Sequence, residues 1–198
     1  MTELNDEILL RQFVTVFAKL DEWIEHGDDT TAGSQVLAVD ASVWSDSKPK
    51  PVEFQTSSRA LNELYEMVPL RFPPLFEKLL LLYRWPEVDL GFYRLASNLP
   101  GEDFNGFFHA ISGDEYLWDA LIPAGYLPFG KGPDIDYDPV CFDYRPKSPK
   151  RGRIVKIDHE EILCHNRIKI VTELAPDFRQ LLLKTLRLAE LATPPSNG

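Results

Sequence analysis

The apolar pattern of this chain changes period along its length, and that change sets the fold class. Up to about Leu121 the apolar residues recur mostly at three- and four-residue spacing, as they do on helices. After Pro123 they alternate. Val140, Phe142 and Tyr144 oppose Cys141 and Asp143, and Ile154, Val155 and Ile157 form another short run. A final helical stripe of Phe178, Leu181, Leu182, Thr185 and Leu188 precedes Pro194-Pro195. Helices, then a small antiparallel or mixed sheet, then helices make an α+β fold, with an extra helix at the N-terminus.

The N-terminal helix carries Leu4, Ile8, Phe13, Val16, Phe17, Leu20 and Ile24 on one stripe, with Trp23 beside it, and stops near His26-Gly27. Residues 28–55 are polar, with a Lys-Pro alternation at 48–51, and read as a linker or surface excursion. The run Val36-Leu37-Ala38-Val39 within them fits a strand or a helix equally. The chain thus divides into 1–55, helix and linker, and 56–193, an α+β domain. Thr56-Ser57-Ser58 caps a second helix with Leu61, Leu64, Tyr65 and Val68 as its stripe. Pro73-Pro74 opens a third, Leu75 to Tyr83, apolar almost all round and so expected deep in the core. Leu90 to Leu95 reads as a strand, followed by short helices around 103–111 and 113–121. The aromatics there, Phe104, Phe107, Phe108, Tyr116 and Trp118, are expected in the core. Gly125 to Gly130 reads as a strand ending in a turn, Arg145 to Gly152 as a solvated connection, and Asp158 as the cap of a brief helix, His159 to Leu163.

Hydrophobic residues make up 44% of the chain and aromatics 12%, enough apolar surface to exclude a wholly disordered protein. No run approaches the 18 or so uncharged apolar residues of a membrane span. The acidic start lacks the basic region of an export signal. Two cysteines, Cys141 and Cys164, are too few for a disulfide framework, so a cytoplasmic location with free thiols is expected. With 31 acids and 21 bases the net charge is −10, which disfavours nucleic acid and anionic membranes and suits a basic protein partner. The charge is uneven: residues 87–138 hold ten acids and two bases, and residues 145–169 hold eight bases and three acids.

No motif for catalysis survives inspection. His159 to His165 gathers two His, two Glu and Cys164, but a zinc-binding helix needs a second His at position 163, where Leu stands. An ordinary short helix with a buried Cys164 is the simpler reading. Asp134, Asp136 and Asp138 alternate like a calcium loop, but Pro139 replaces its glycine and Arg145 its closing acid. Gly130-Lys131-Gly132 lacks the Ser or Thr and the following helix of a phosphate loop. No cofactor, metal or catalytic residue is therefore assigned. The basic segment 145–153 lacks the interleaved aromatics that stack on bases.

The second half resembles a known family. The stretch Leu121-Ile-Pro-Ala-Gly-Tyr-Leu-Pro-Phe-Gly, a loop, and Asp138-Pro-Val-Cys-Phe-Asp143 are similar to the strand–turn–strand signature of the SUKH superfamily, the Smi/Knr-type proteins. Arg153 to Asp158 looks like that family's next strand, Glu173 to Leu182 like its closing helix, and Pro73 to Leu80 like the helix before its sheet. The resemblance implies an α+β domain without catalytic residues that binds another protein. Many bacterial members are similar to immunity proteins that neutralise toxins, and fungal members are regulatory interaction proteins.

The leading expectation is thus a non-enzymatic, immunity-protein-like binding module, with a basic toxin domain as its expected partner. The acidic loop Asp134, Asp136, Tyr137 and Asp138 is the candidate partner surface. The alternatives are an intracellular regulatory or scaffold protein, and a small metal-dependent hydrolase built on His159, His165 and the nearby acids.

Overall fold

A computed structural model describes residues 5–17, 44–45 and 48–192. Its largest element is a six-stranded antiparallel sheet in the order β10-β9-β8-β7-β6-β5. The strands are β5 (Val88–Asp89), β6 (Arg94–Leu95), β7 (Tyr126–Lys131), β8 (Pro139–Asp143), β9 (Arg153–Ile157) and β10 (Ile170–Ala175). Every strand pairs with its neighbour in sequence, so the sheet is a meander, which needs no parallel crossover. Outside it, β1 (Trp44–Ser45) pairs with β2 (Lys48–Pro49), and β3 (Val52–Glu53) with β4 (Tyr83–Arg84). Seven helices lie among the described residues: α1 (Asp6–Thr15), α2 (Ser58–Met67), α3 (Pro74–Leu82), α4 (Asn105–Ser112), α5 (Glu115–Leu121), α6 (His159–His165) and α7 (Phe178–Ala192). None of them is long and apolar enough to cross a membrane. The expected α+β class is the observed one.

The sheet separates two apolar clusters, because successive strand residues face opposite ways. Leu127 and Phe129 of β7, Val140 and Phe142 of β8, and Ile154 of β9 face the larger cluster, with α1, α2, α3 and α7. Tyr126, Cys141, Val155 and Ile157 face the smaller one, with Leu121 of α5 and Ile162 of α6. The hub of the larger cluster is Phe76. Its ring meets Phe72, Phe129, Phe142 and Phe178 at centroid distances of 4.9, 5.4, 5.5 and 5.0 Å, mostly edge to face, the arrangement that ring quadrupoles favour. The third helix is thus as deep as its sequence implies.

The boundary expected at residue 55 is crossed by shared structure. Leu9, Leu10, Phe13 and Phe17 are fully buried in the larger cluster, and Asp6 accepts from Arg179 of α7 at 2.8 Å. Residues 48–55, expected as linker, contribute β2 and β3, and β3 pairs directly with β4. Arg84 of β4 is buried between the rings of Phe54 and Phe104 and donates to the carbonyls of Leu80 and Tyr83 and to the Thr56 hydroxyl. A guanidinium at the end of α3 satisfies carbonyls that the helix leaves open and suits the negative end of its dipole.

Several sequence expectations change. The N-terminal helix ends at Thr15, and Ile8, placed on its apolar stripe, is 51% exposed while Leu9 and Leu10 are buried. Leu20, Trp23, Ile24, His26-Gly27 and the run 36–39 lie outside the described residues. Leu90 to Leu95 is not one strand. It is the turn and second strand of the β5–β6 hairpin, where Gly91 takes φ +82°, a left-handed conformation that favours glycine. Residues 170–175 form the edge strand β10, so Glu173 to Ala175, which the family resemblance put in the closing helix, are strand and that helix starts at Phe178; α6 runs on to His165. Tyr116 is 81% exposed rather than core, and Leu188 is partly exposed.

Candidate interaction site

The loop joining β7 to β8 and the cleft beside it form the candidate site. Residues 132–138 carry the acidic triplet, and the turn of the loop at Asp134, rather than any alternation, splits that triplet. Asp134, Ile135 and Tyr137 are exposed, whereas Asp136 and Asp138 turn inward and are half-buried. Asp136 Oδ2 accepts from Lys156 of β9 at 2.6 Å, and Lys156 Nζ lies 3.7 Å from Asp138 Oδ2. Asp138 Oδ1 accepts from the His159 backbone N–H at 2.9 Å and faces His159 Nδ1 at 2.7 Å. Burial alone would raise the Asp136 carboxyl pKa. The hydrogen bonds from Lys156 and from the Asp138 N–H, with the nearby Lys156 and His159 charges, outweigh it and hold the group below the usual carboxylate range.

Further bonds fix the backbone of the loop. Arg94 of β6 donates to the carbonyls of Gly132 at 2.8 Å and Asp136 at 3.0 Å. The Asp134 N–H donates to Asp89 Oδ2 at 2.8 Å, and the Gly132 N–H to the Asp138 carbonyl at 2.9 Å. Asp134 takes a left-handed φ of 51°, which aspartate tolerates better than most residues. A Cβ on Gly132 would collide with the Asp136 side chain, so glycine is required for that carboxylate to sit where it does. The inward acids therefore hold the loop rather than present charge, and the outward face is Asp134, Ile135 and Tyr137. Ile135 is 81% exposed and Tyr137 58%.

Behind the loop, on the smaller-cluster face of the sheet, lies a cleft of about 790 Å³. The sheet contributes Pro128, Lys131 and Pro139, α4 His109, α5 Leu117 and Trp118, and α6 His159 and Leu163. Tyr137 stands at its edge, with its ring 6.3 Å from that of His159 and at a steep angle to it.

The structure rearranges the candidate metal ligands. His165 does not join His159; it lies on the exposed end of α6, 3.5 Å from Glu161. Among the described residues, Asp136, Asp138 and His159 bring possible ligand atoms within 4.8 Å of one another. The Lys156 ammonium already lies 2.6 Å from Asp136 and 3.7 Å from Asp138 and offsets one of their two charges. No Ser, Thr or Cys among the described residues is hydrogen-bonded to His159. Cys164, expected buried, is exposed, and Cys141 is the buried thiol. The missed partnership, Asp138 with His159, spans 21 residues and had no local signal.

The basic segment 145–153 is only partly solvated. Arg145 and Arg153 both converge on Asp143, the acid that ends β8 and is completely buried. The aromatic-Asp end of the family-like signature is thus a structural anchor, and its Phe129 is core. Comparison with protein-family models, curated proteins and solved structures finds no match.

Proposed function

We propose that this chain is a non-enzymatic protein-binding module, an immunity protein of the SUKH type that binds and neutralises a bacterial toxin through the β7–β8 loop. One observation carries this reading. Ile135 and Tyr137 are held out into solvent by a loop whose backbone and acids are bonded to β6, β9 and α6. An exposed isoleucine and tyrosine on a pinned loop lose little conformational freedom on binding, which is how preorganised surfaces gain affinity. Tyrosine is also among the side chains that most often dominate interface energies. The net charge of −10 supports a basic partner by long-range attraction. The SUKH-like signature, a resemblance in sequence, supplies the toxin class.

The test is co-purification from the source cell with a wash at roughly 0.5 M salt, where a Debye length of about 4 Å screens long-range attraction. Wild type and Tyr137→Ala are compared, and the partner is identified by mass spectrometry. The partner is then expressed alone and together with this chain. The reading expects a stoichiometric partner, at least tenfold weaker binding by the variant, growth arrest by the partner alone, and rescue on co-expression. A partner that is harmless alone overturns the toxin reading in favour of a regulatory one. Unchanged binding by Tyr137→Ala removes the loop from the interface.

A further inference from the structure

We propose that the cleft behind the loop binds a small amphipathic carboxylate, with its apolar body against Trp118 and Leu117 and its charge at Lys131. This goes beyond the binding-module reading and does not depend on it, because it stands on the cleft rather than on the outward face of the loop.

The cleft volume of about 790 Å³ falls within the roughly 300–1,000 Å³ usual for small-molecule sites, and its wall has the usual make-up, mainly apolar with a few polar groups. Those polar groups are unequal. The Glu87 carboxylate is paired with Arg94 at 3.2 Å. Asp114 Oδ1 accepts from the Leu117 N–H at 3.0 Å as the cap of α5. His159 Nδ1 faces Asp138. Lys131, half-buried at the end of β7, has no ion pair or side-chain hydrogen bond to any described residue. The acids on the wall are thus engaged and its lysine is not, although the protein as a whole is strongly acidic.

An apolar wall whose unengaged basic groups are the Lys131 ammonium and the His109 imidazole selects a ligand with an apolar body and a single negative charge. A neutral analogue would gain only the apolar contact, and a cation would be repelled by Lys131. A phosphate is a poorer match. Gly130-Lys131-Gly132 opens no helix, and the Gly132 N–H is already bonded to the Asp138 carbonyl, so the backbone supplies no cradle of free donors.

The experiment titrates the full chain with octanoate, 1-octanol and octyltrimethylammonium at pH 7, read by calorimetry and by tryptophan fluorescence. Octanoate is expected to bind at one site per chain, about tenfold tighter than octanol, the effect of one charge-assisted hydrogen bond. Octyltrimethylammonium is expected to bind more weakly than either. Lys131→Met should bring octanoate down to the octanol level and leave octanol unchanged. Trp118→Phe should abolish the fluorescence change while calorimetric binding persists. The proposal is overturned by any of three results: no saturable octanoate binding at millimolar concentration, equal affinities for octanoate and octanol, or an unaltered fluorescence response in Trp118→Phe. An octanoate affinity indifferent to Lys131→Met likewise overturns the assignment of the charge site.

Discussion

Replacing Asp143 by Asn isolates the energetics of the one carboxylate on which the β8–β9 connection converges. Its side chain is 0% exposed. Oδ1 accepts from Arg145 Nε at 2.9 Å, and Oδ2 accepts from Arg145 Nη2 at 2.9 Å, Arg153 Nε at 3.0 Å and the Ser148 hydroxyl at 3.0 Å. Burial raises the pKa, but these donors outweigh it and hold the group at about 2, below its ordinary 3.8. At roughly 1.4 kcal/mol per unit, the difference stabilises the fold by about 2 kcal/mol. Because the folded-state value is the lower one, that stabilisation is complete well above pH 4 and is lost as the pH falls toward 2. About half of it is gone near pH 3. Asn preserves the shape but leaves two guanidinium groups facing a neutral amide. Breaking a buried pair costs about 3–5 kcal/mol, and since Arg145 reaches water the loss should be near the lower end, about 3 kcal/mol. Urea unfolding followed by circular dichroism at pH 7, 5 and 3 measures it. The variant should be less stable by about 3 kcal/mol at pH 7 and 5, with the gap narrowed by about 1 kcal/mol at pH 3. A loss under about 1 kcal/mol, or a gap as wide at pH 3 as at pH 7, would refute the reasoning.

Two further outcomes are expected, besides the loss of partner binding in Tyr137→Ala and the selective octanoate binding. A Cβ at Gly130 would run into the Arg94 carbonyl on the neighbouring strand, which cannot yield without breaking the β6–β7 pairing, so Gly130→Ala should lower stability by about 3 kcal/mol in thermal or urea unfolding; a near-neutral effect would mean that the strands separate easily there. The exposed Cys164 should react quickly with an aromatic disulfide reagent in the native protein, whereas Cys141, whose pKa is pushed up by burial and by Asp143, should react only on unfolding; rapid reaction of both thiols would contradict the packing of β8.

Helices α2, α3, α4, α5 and α7 and strands β7, β8 and β9 were legible in the sequence because each buries one side and exposes or separately buries the other, so burial writes a period into the residues. The edge strand β10 was not. Its Ile170-Val-Thr-Glu-Leu-Ala run is mostly exposed and bulged at two places against β9, so no alternation marks it. Ile8 and Tyr116 misled for the complementary reason: helical spacing says which residues share a face, and only the neighbours decide whether that face is covered.

The candidate site shows the same division more sharply. The sequence by itself determined that residues 134–138 form an acidic loop between two strands and that no standard calcium, zinc or phosphate motif is present. It presented three aspartates of identical chemistry at even spacing. Only the tertiary structure decided that Asp134 faces water while Asp136 and Asp138 serve as struts, because their partners, Lys156 and His159, arrive from β9 and α6 across the sheet. Contacts between residues some twenty positions apart depend on strand register and helix placement, and neither leaves a local trace in the residues that meet.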